Sequence, residues 1–259
     1  MSAYARHDGR VLRCVVATEE RNASLHPEAM RESYEALRSI GPETGAVLLV
    51  GDGAAFCTGG DVASFGAAAK NGEDPETFIR EVADAFHAFL LALVEAPVPV
   101  VAAVHGAAAG AGMSIVCAAD LAIAGTSTFL KPGYPSLGFT PDGGMSWTLP
   151  RLVGSGRARA ILLQDRLIDA ATGLAYGIFS EVVADDEVAG KAERLAARLA
   201  NGATTALGGV KRLLREGESR SLAEHLDAEA ASIARSAAGP EGREGVAAFN
   251  ERRRPSFHT

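Results

Sequence analysis

The sequence predicts an α/β core followed by a purely helical C-terminal region, and two patterns carry that prediction. Up to about residue 185, short apolar strands alternate with glycine-rich elbows and helices. From Glu187 onward the apolar spacing is helical throughout. With 259 residues, 47% of them hydrophobic, the chain can fill one large domain or two small ones. The expected division is 1–190 for the strand-containing core and 191–259 for the helical region.

Each element has a local reason. Residues 1–17 read as a hairpin turning at Asp8-Gly9, its second strand running from Val11 to Ala17. Pro27 opens a helix to about Ile40, and Gly41-Pro42 stops it. The continuous apolar run Ala46 to Val50 suits a strand covered on both faces. Asp74 as cap and Pro75 in the first turn start a long helix with the stripe Phe78, Val82, Phe86, Phe89, Leu90, Leu93. A strand at Val98 to Val104 leads through a glycine elbow into a short helix containing Ile115 and Val116. Strands at Leu121–Ala124 and Glu181–Val183 bracket another elbow and a helix after Gly138. The final helices are expected at 187–201, 204–216, 221–237 and 240–253. The Ala- and Gly-rich segment from Ala63 to Asp74 has no period from which a structure follows.

Composition excludes several classes. Mean hydropathy is +0.10, yet no apolar run reaches the ~20 residues of a membrane helix. Met1 to Arg10 lacks the basic patch and apolar core of a secretory signal. Cys14, Cys57 and Cys117 form neither a disulfide framework nor a metal cluster, which suits a reducing cytoplasm and no bound metal. A formal charge of −7 opposes nucleic acid as the main partner. The C-terminal region carries a basic cluster of Lys211, Arg212, Arg215, Arg243 and Arg252-Arg253-Arg254, readable as a solvated face or as an anion site.

Two elbows hold the chemistry. One runs from Gly53 through Phe56-Cys57-Thr58-Gly59-Gly60-Asp61 after the strand at 46–50; the other is His105-Gly106 through Gly110-Ala111-Gly112 after the strand at 98–104. Glycine lets such backbone approach a ligand closely. The second elbow feeds a helix, whose first N–H groups and positive dipole end face outward. Two amides aimed at one point make an oxyanion hole. By spacing alone the same turns also serve phosphate binding or tight packing, although neither a Rossmann nor a P-loop signature is present.

Several stretches in the same order resemble the crotonase (enoyl-CoA hydratase/isomerase) superfamily. Phe56 to Val62 is similar to its F-x-A-G-x-D-[LIV] loop, and Ala103 to Gly112 to its A-V-x-G-x-x-x-G-[GA]-G segment. Pro141-Asp142-Gly143-Gly144, Leu149 to Gly154 and Ala248 to Pro255 match three further stretches, and Arg21 to Leu25 loosely matches another. The resemblance implies a spiral of repeated ββα units followed by helices that form a homotrimer or a dimer of trimers. It implies an acyl-CoA thioester, coenzyme A being part of the substrate and no separate cofactor being needed. The thioester carbonyl would lie between the amides of Gly60 and Ala111. Ala23, Leu25, Cys57, Thr58, Gly59, Asp61, Val62 and Gly110 would line the CoA site. Phe249 and Arg252 would reach adenine and phosphates, often from a neighbouring subunit, with Lys211 a further candidate.

The family's hydratases use two glutamates, and the corresponding positions here hold Ser114 and Tyr134. Activating water while protonating carbon needs a base and an acid, which Ser114 does not supply. Asp142, eight residues beyond Tyr134, matches the catalytic aspartate of several isomerases, including the ring-epoxide isomerases of phenylacetyl-CoA breakdown. One carboxylate suffices to shift a double bond through a dienolate. The competing structural reading makes Thr140-Pro141-Asp142 a helix start, with Asp142 complementing the dipole. An enoyl-CoA hydratase, a nucleophilic Asp142 as in the family's dehalogenases, an Asp142 that serves thioester hydrolysis, and a catalytically silent CoA-binding protein stand as alternatives. Phe65, Phe139, Met145 and Trp147 are candidate walls of an apolar pocket around the carboxylate. Ser114 is a candidate for orienting a substrate group. His105 reads as a loop buttress, His87 and His225 as surface or satisfied histidines, and Asp61 as a stabiliser of its own loop.

Overall fold

Alternation along the second strand sets the geometry of the main sheet. Val11 and Val15 pack on one face with Ala46, Leu48, Val101 and Ile123, while Leu12, Cys14 and Val16 turn to the other. The structure is a computed structural model that describes residues 4–258, the side chain of Ala69 excepted. Residues 1–3 of the expected hairpin lie outside the described residues. β1 (Ala5–Asp8) and β2 (Val11–Ala17) form the hairpin, antiparallel from Ala5↔Cys14 to Asp8↔Val11.

Parallel strands then add one by one. β3 (Ala46–Gly51), β4 (Val100–Val104), β6 (Leu121–Gly125) and β9 (Glu181–Val183) extend a six-stranded sheet of order β1-β2-β3-β4-β6-β9. Continuous apolar runs are what a parallel sheet buried on both faces requires. A second sheet, of order β5-β7-β8, is built from β5 (Ala107–Ala109), β7 (Phe129–Lys131) and β8 (Ile168–Asp169). These pieces are too short to show a period in the sequence, and β5 hid inside the expected elbow.

The pairing of the two sheets makes the repeat visible. β4 lies in the first sheet, β5 in the second, and α4 (Ala111–Ala118) follows; β6 and β7 repeat the step before α5 (Met145–Val153). One turn earlier β3 is followed by a single parallel bridge, Cys57↔Ala108, at the same place in the second sheet. A helix, α2 (Val62–Lys70), again follows. The molecule is thus a spiral of ββα units, the fold class expected. The segment for which the sequence offered no structure contains all of α2 but its first residue.

Helices cover both faces of the large sheet. α1 (Pro27–Arg38) and α3 (Pro75–Glu95) contribute Met30, Leu37, Phe86, Phe89, Leu90 and Leu93 to one core. The cap of α3 is as expected: Asp74 accepts from the Thr77 N–H at 2.9 Å, and Pro75 occupies the first turn. On the other face α8 (Val188–Ala200) buries Val188, Ala192, Ala196 and Ala200 against the strands. The expected division at 190–191 falls inside α8. Short helices α6 (Ser155–Leu163) and α7 (Ala170–Ala175) complete the spiral. Beyond it, α9 (Thr204–Gly217), α10 (Leu222–Ala238) and α11 (Pro240–Asn250) expose Val210, Leu214, Leu222, Leu226, Ile233, Val246 and Phe249. Among the described residues no helix is long and apolar enough to cross a membrane.

Candidate active site

The two elbows meet edge to edge. The Ala109 N–H donates to the Cys57 carbonyl at 2.9 Å, and the Cys57 N–H to the Ala107 carbonyl at 3.2 Å. Gly112 is required by this approach, since a Cβ there would collide with the Cys57 carbonyl oxygen. Gly59 faces the same strand end: a Cβ on it would stand 3.2 Å from the Ala109 oxygen and 3.7 Å from the Ala111 nitrogen. The first elbow is held from outside as well. The Thr58 N–H donates to Ala23 and the Leu25 N–H to Gly59, both at 2.8 Å. His105 buttresses it, its Nε2 lying 2.9 Å from the Gly53 carbonyl.

Against this dense bonding, two donors stand out. Among the described residues, neither the Gly60 nor the Ala111 N–H has a hydrogen-bond acceptor. Ala111 is the first residue of α4, capped by Gly110, so its amide lies at the positive end of the helix dipole.

One helical turn further along α4 sits Ser114, fully buried at 0% exposure. Its hydroxyl donates to the backbone carbonyl of Asp142 at 3.2 Å and lies 3.3 Å from the Tyr134 hydroxyl. Tyr134 donates to Asp142 Oδ1 at 2.7 Å. Burial and the neighbouring carboxylate push the Tyr134 phenol well above its ordinary pKa, so it stays a donor. Ser114, Tyr134 and Asp142 therefore form one constellation beside the Ala111 amide. The Ser114 hydroxyl also lies 3.4 Å from the Gly110 carbonyl, so its contacts are all within this cluster.

The helix-start reading of Asp142 is corrected by the backbone. α5 begins at Met145, and Gly143 and Gly144 before it both have positive φ, 58° and 69°. Asp142 is thus two residues outside the cap, and its carboxylate is turned to Tyr134 instead. Gly143 has no substitute: a Cβ there would meet Phe86 at 2.5 Å and Ser114 Cβ at 2.8 Å.

The remaining expected residues divide by environment. Ala23, Leu25 and Cys57 are buried beneath the first elbow, whereas Thr58 and Val62 are exposed beside it. Asp61 steadies its own loop, as expected, by accepting from the Ser64 N–H at 3.3 Å. It also pairs with Arg21 at 2.7 Å. Phe65 reaches over Gly60, 3.2 Å from where a Cβ would be, and its ring lies 6.5 Å from that of Phe139. Two expected walls belong elsewhere. Met145 is in the core, and Trp147 lies under the Arg151 guanidinium at 3.7 Å. Phe249 is 84% exposed at the end of α11, with Arg252 also exposed just beyond it. Lys211 is removed from the CoA candidates: it is largely buried, bonded to Asp120 at 2.9 Å and to the Leu93 carbonyl at 3.1 Å. His225 pairs with Glu229 at 3.4 Å.

His87 is an exposed, satisfied helix residue, as expected, but its partner was not foreseen. Its Nε2 accepts the Gly143 N–H at 3.1 Å, 56 residues away in the chain, a contact that no local pattern encodes.

A profile of the enoyl-CoA hydratase/isomerase family matches residues 11–259. A Rhodobacter capsulatus protein described as a probable enoyl-CoA hydratase is 38% identical over 234 residues, covering 90% of this chain and 89% of its own. The 1,2-epoxyphenylacetyl-CoA isomerase of Escherichia coli K12 is 32% identical over 245 residues, covering 92% and 91%. The crystal structure of an enoyl-CoA hydratase from Polaromonas sp. JS666 superposes with a TM-score of 0.91 at 31% identity, covering 97% of this chain and 98% of the other. The chain belongs to the enoyl-CoA hydratase/isomerase (crotonase) family.

Proposed function

We propose that this protein shifts a double bond in an enoyl-CoA thioester, using Asp142 as a single proton carrier. One observation carries the reading: the Gly60 and Ala111 amides have no acceptor among the described residues, and one helical turn beyond Ala111 Ser114 bonds the backbone of Asp142, whose carboxylate has one oxygen pinned by Tyr134. In this reading Asp142 Oδ2 takes a proton from one carbon of the acyl chain. The electron pair passes to the thioester oxygen, where the two N–H groups receive the charge. The carboxylic acid then returns the same proton two carbons away, so nothing is added or lost. Water addition would need a second acid–base group, and the first hydratase glutamate position is the buried Ser114. The likeness to the E. coli isomerase supports the same direction.

Coenzyme A enters as part of the substrate, along Ala23, Leu25 and the segment from Cys57 to Val62. Gly110 shapes the turn that presents Ala111. The exposed apolar row on α9 to α11 is the face by which copies assemble as a homotrimer or dimer of trimers. Such an assembly would bring Phe249 and Arg252 to a neighbour's adenine and phosphates. A second reading uses the unpinned Asp142 oxygen as a nucleophile on the acyl or aryl group.

The test is Asp142→Asn, assayed on a panel of 2-enoyl- and 3-enoyl-CoA esters with product analysis. Turnover should fall about 10²–10⁴-fold, the scale of a lost general base. The rise in melting temperature caused by a CoA ester should persist. Unchanged turnover would sink the proton carrier, a hydroxyacyl-CoA product would mean hydration, and a covalent adduct on Asp142 would mean nucleophilic attack. If no CoA ester raises the melting temperature, the thioester reading itself fails.

A further inference from the structure

The peptide unit joining Asp142 to Gly143 is held at both ends by side chains from two different helices. Its carbonyl accepts the Ser114 hydroxyl of α4 at 3.2 Å. Its N–H donates to His87 Nε2 of α3 at 3.1 Å. A peptide unit is planar, so one bond at each end fixes the plane, and with it the direction in which the Asp142 Cα presents its side chain. The carbonyl is further engaged by the Met145 N–H at 3.1 Å. On the N–H side, by contrast, His87 is the sole acceptor among the described residues.

The role suits imidazole chemistry. To accept from an amide, Nε2 must carry a lone pair, so the ring proton sits on Nδ1. The ring follows Phe86, whose own side chain crowds Gly143 from the same helix. Gly143 has a φ of 58° and no space for a Cβ, so no other residue fits at this position without moving Phe86 or Ser114. Tyr134 fixes the far end of the Asp142 side chain at Oδ1. Three elements therefore converge on Asp142 and the peptide unit after it: α3 through His87 and α4 through Ser114 hold the backbone, and the loop before α5 holds the carboxylate through Tyr134.

We infer that His87 is a positioning residue, which aims the Asp142 carboxylate by accepting the Gly143 amide. The inference rests on the proposed role of Asp142. Its effect should fall on turnover and not on binding, because a carboxylate turned away from the reacting carbon leaves the thioester site intact.

The experiment compares His87→Ala and His87→Gln with the parent and with Asp142→Asn. His87 is exposed and lies inside a helix that accepts either replacement, so both variants should fold. His87→Ala should lower kcat about tenfold, one hydrogen bond's worth, with KM within about twofold. His87→Gln, whose amide oxygen can take the place of Nε2, should recover most of the loss. Amide exchange at 142–145 should quicken in the alanine variant and return in the glutamine variant. Unchanged kcat in His87→Ala overturns the inference. So does a loss that glutamine fails to restore, which would assign His87 a proton-carrying role, or a change confined to KM, which would make it a ligand contact. Failure of the proposed function is seen separately, as turnover indifferent to Asp142→Asn. The exchange data then judge the His87–Gly143 link by itself.

Discussion

The two elbows supply equivalent amides by opposite means. The second is internal: β5 runs into it, the Gly110 N–H is taken by Lys131 of β7 at 3.0 Å, and α4 leaves it with Ala111 through Cys117 buried. The first is borrowed. It leans on the second through the Cys57 bridge, on the loop at 18–25 through Ala23 and Leu25, and then enters α2, much of which is exposed. An amide at the head of a buried helix is positioned by the core. The Gly60 amide depends instead on its neighbours staying in place.

Removing the core-anchored donor is the largest blow. Ala111→Pro deletes its N–H at the first helical position, where proline is tolerated. We expect kcat to fall about 10²–10³-fold with a melting temperature near the parent's, the scale of one lost oxyanion donor. A mere rise in KM would show that the amide holds ground state and transition state alike. Next comes the seam. Gly112→Ala forces the Cys57 carbonyl away and should cost about 1–3 kcal/mol, the range for overpacking. Chemical denaturation checks the cost, and the stabilisation conferred by a CoA ester should shrink with it. No loss would mean that the bridge is not what holds the first elbow. The smallest effect is expected at Arg21, whose pair with Asp61 is about one-third exposed (33% for each side chain). Solvent screening limits such a pair to below about 1 kcal/mol. Arg21→Ala should therefore leave stability nearly unchanged while quickening amide exchange at 58–64 and not at 106–113. Equal quickening in both would erase the distinction between the elbows.

How legible each part was follows from the range of the interactions behind it. β2, β3 and β4 are apolar runs, and Asp74-Pro75 is a local helix start, so the sequence displayed them directly. The glycines of both elbows were visible for the same reason. β7 and β8 were not, because strands of three and two residues take their definition from the partner and not from a period. Asp142 shows how a local rule is overridden: Thr140-Pro141-Asp142 is a good cap sequence, but two consecutive positive-φ glycines postpone the helix to Met145. Lys211 was misjudged because charge is readable in a sequence, whereas its burial against Asp120 is not. His87 shows the same limit, since its partner is a backbone amide remote in the chain.

The three thiols, finally, give the molecule internal clocks. Cys14 lies in β2, Cys57 in the first elbow and Cys117 at the end of α4 beyond the second, and all are buried. Burial pushes each up to about 12, so at neutral pH the thiols stay protonated and unreactive. Modification by a thiol reagent must then wait for the chain around a cysteine to open. The rate at each position becomes a measure of how often its own part of the molecule, sheet or either elbow, comes apart.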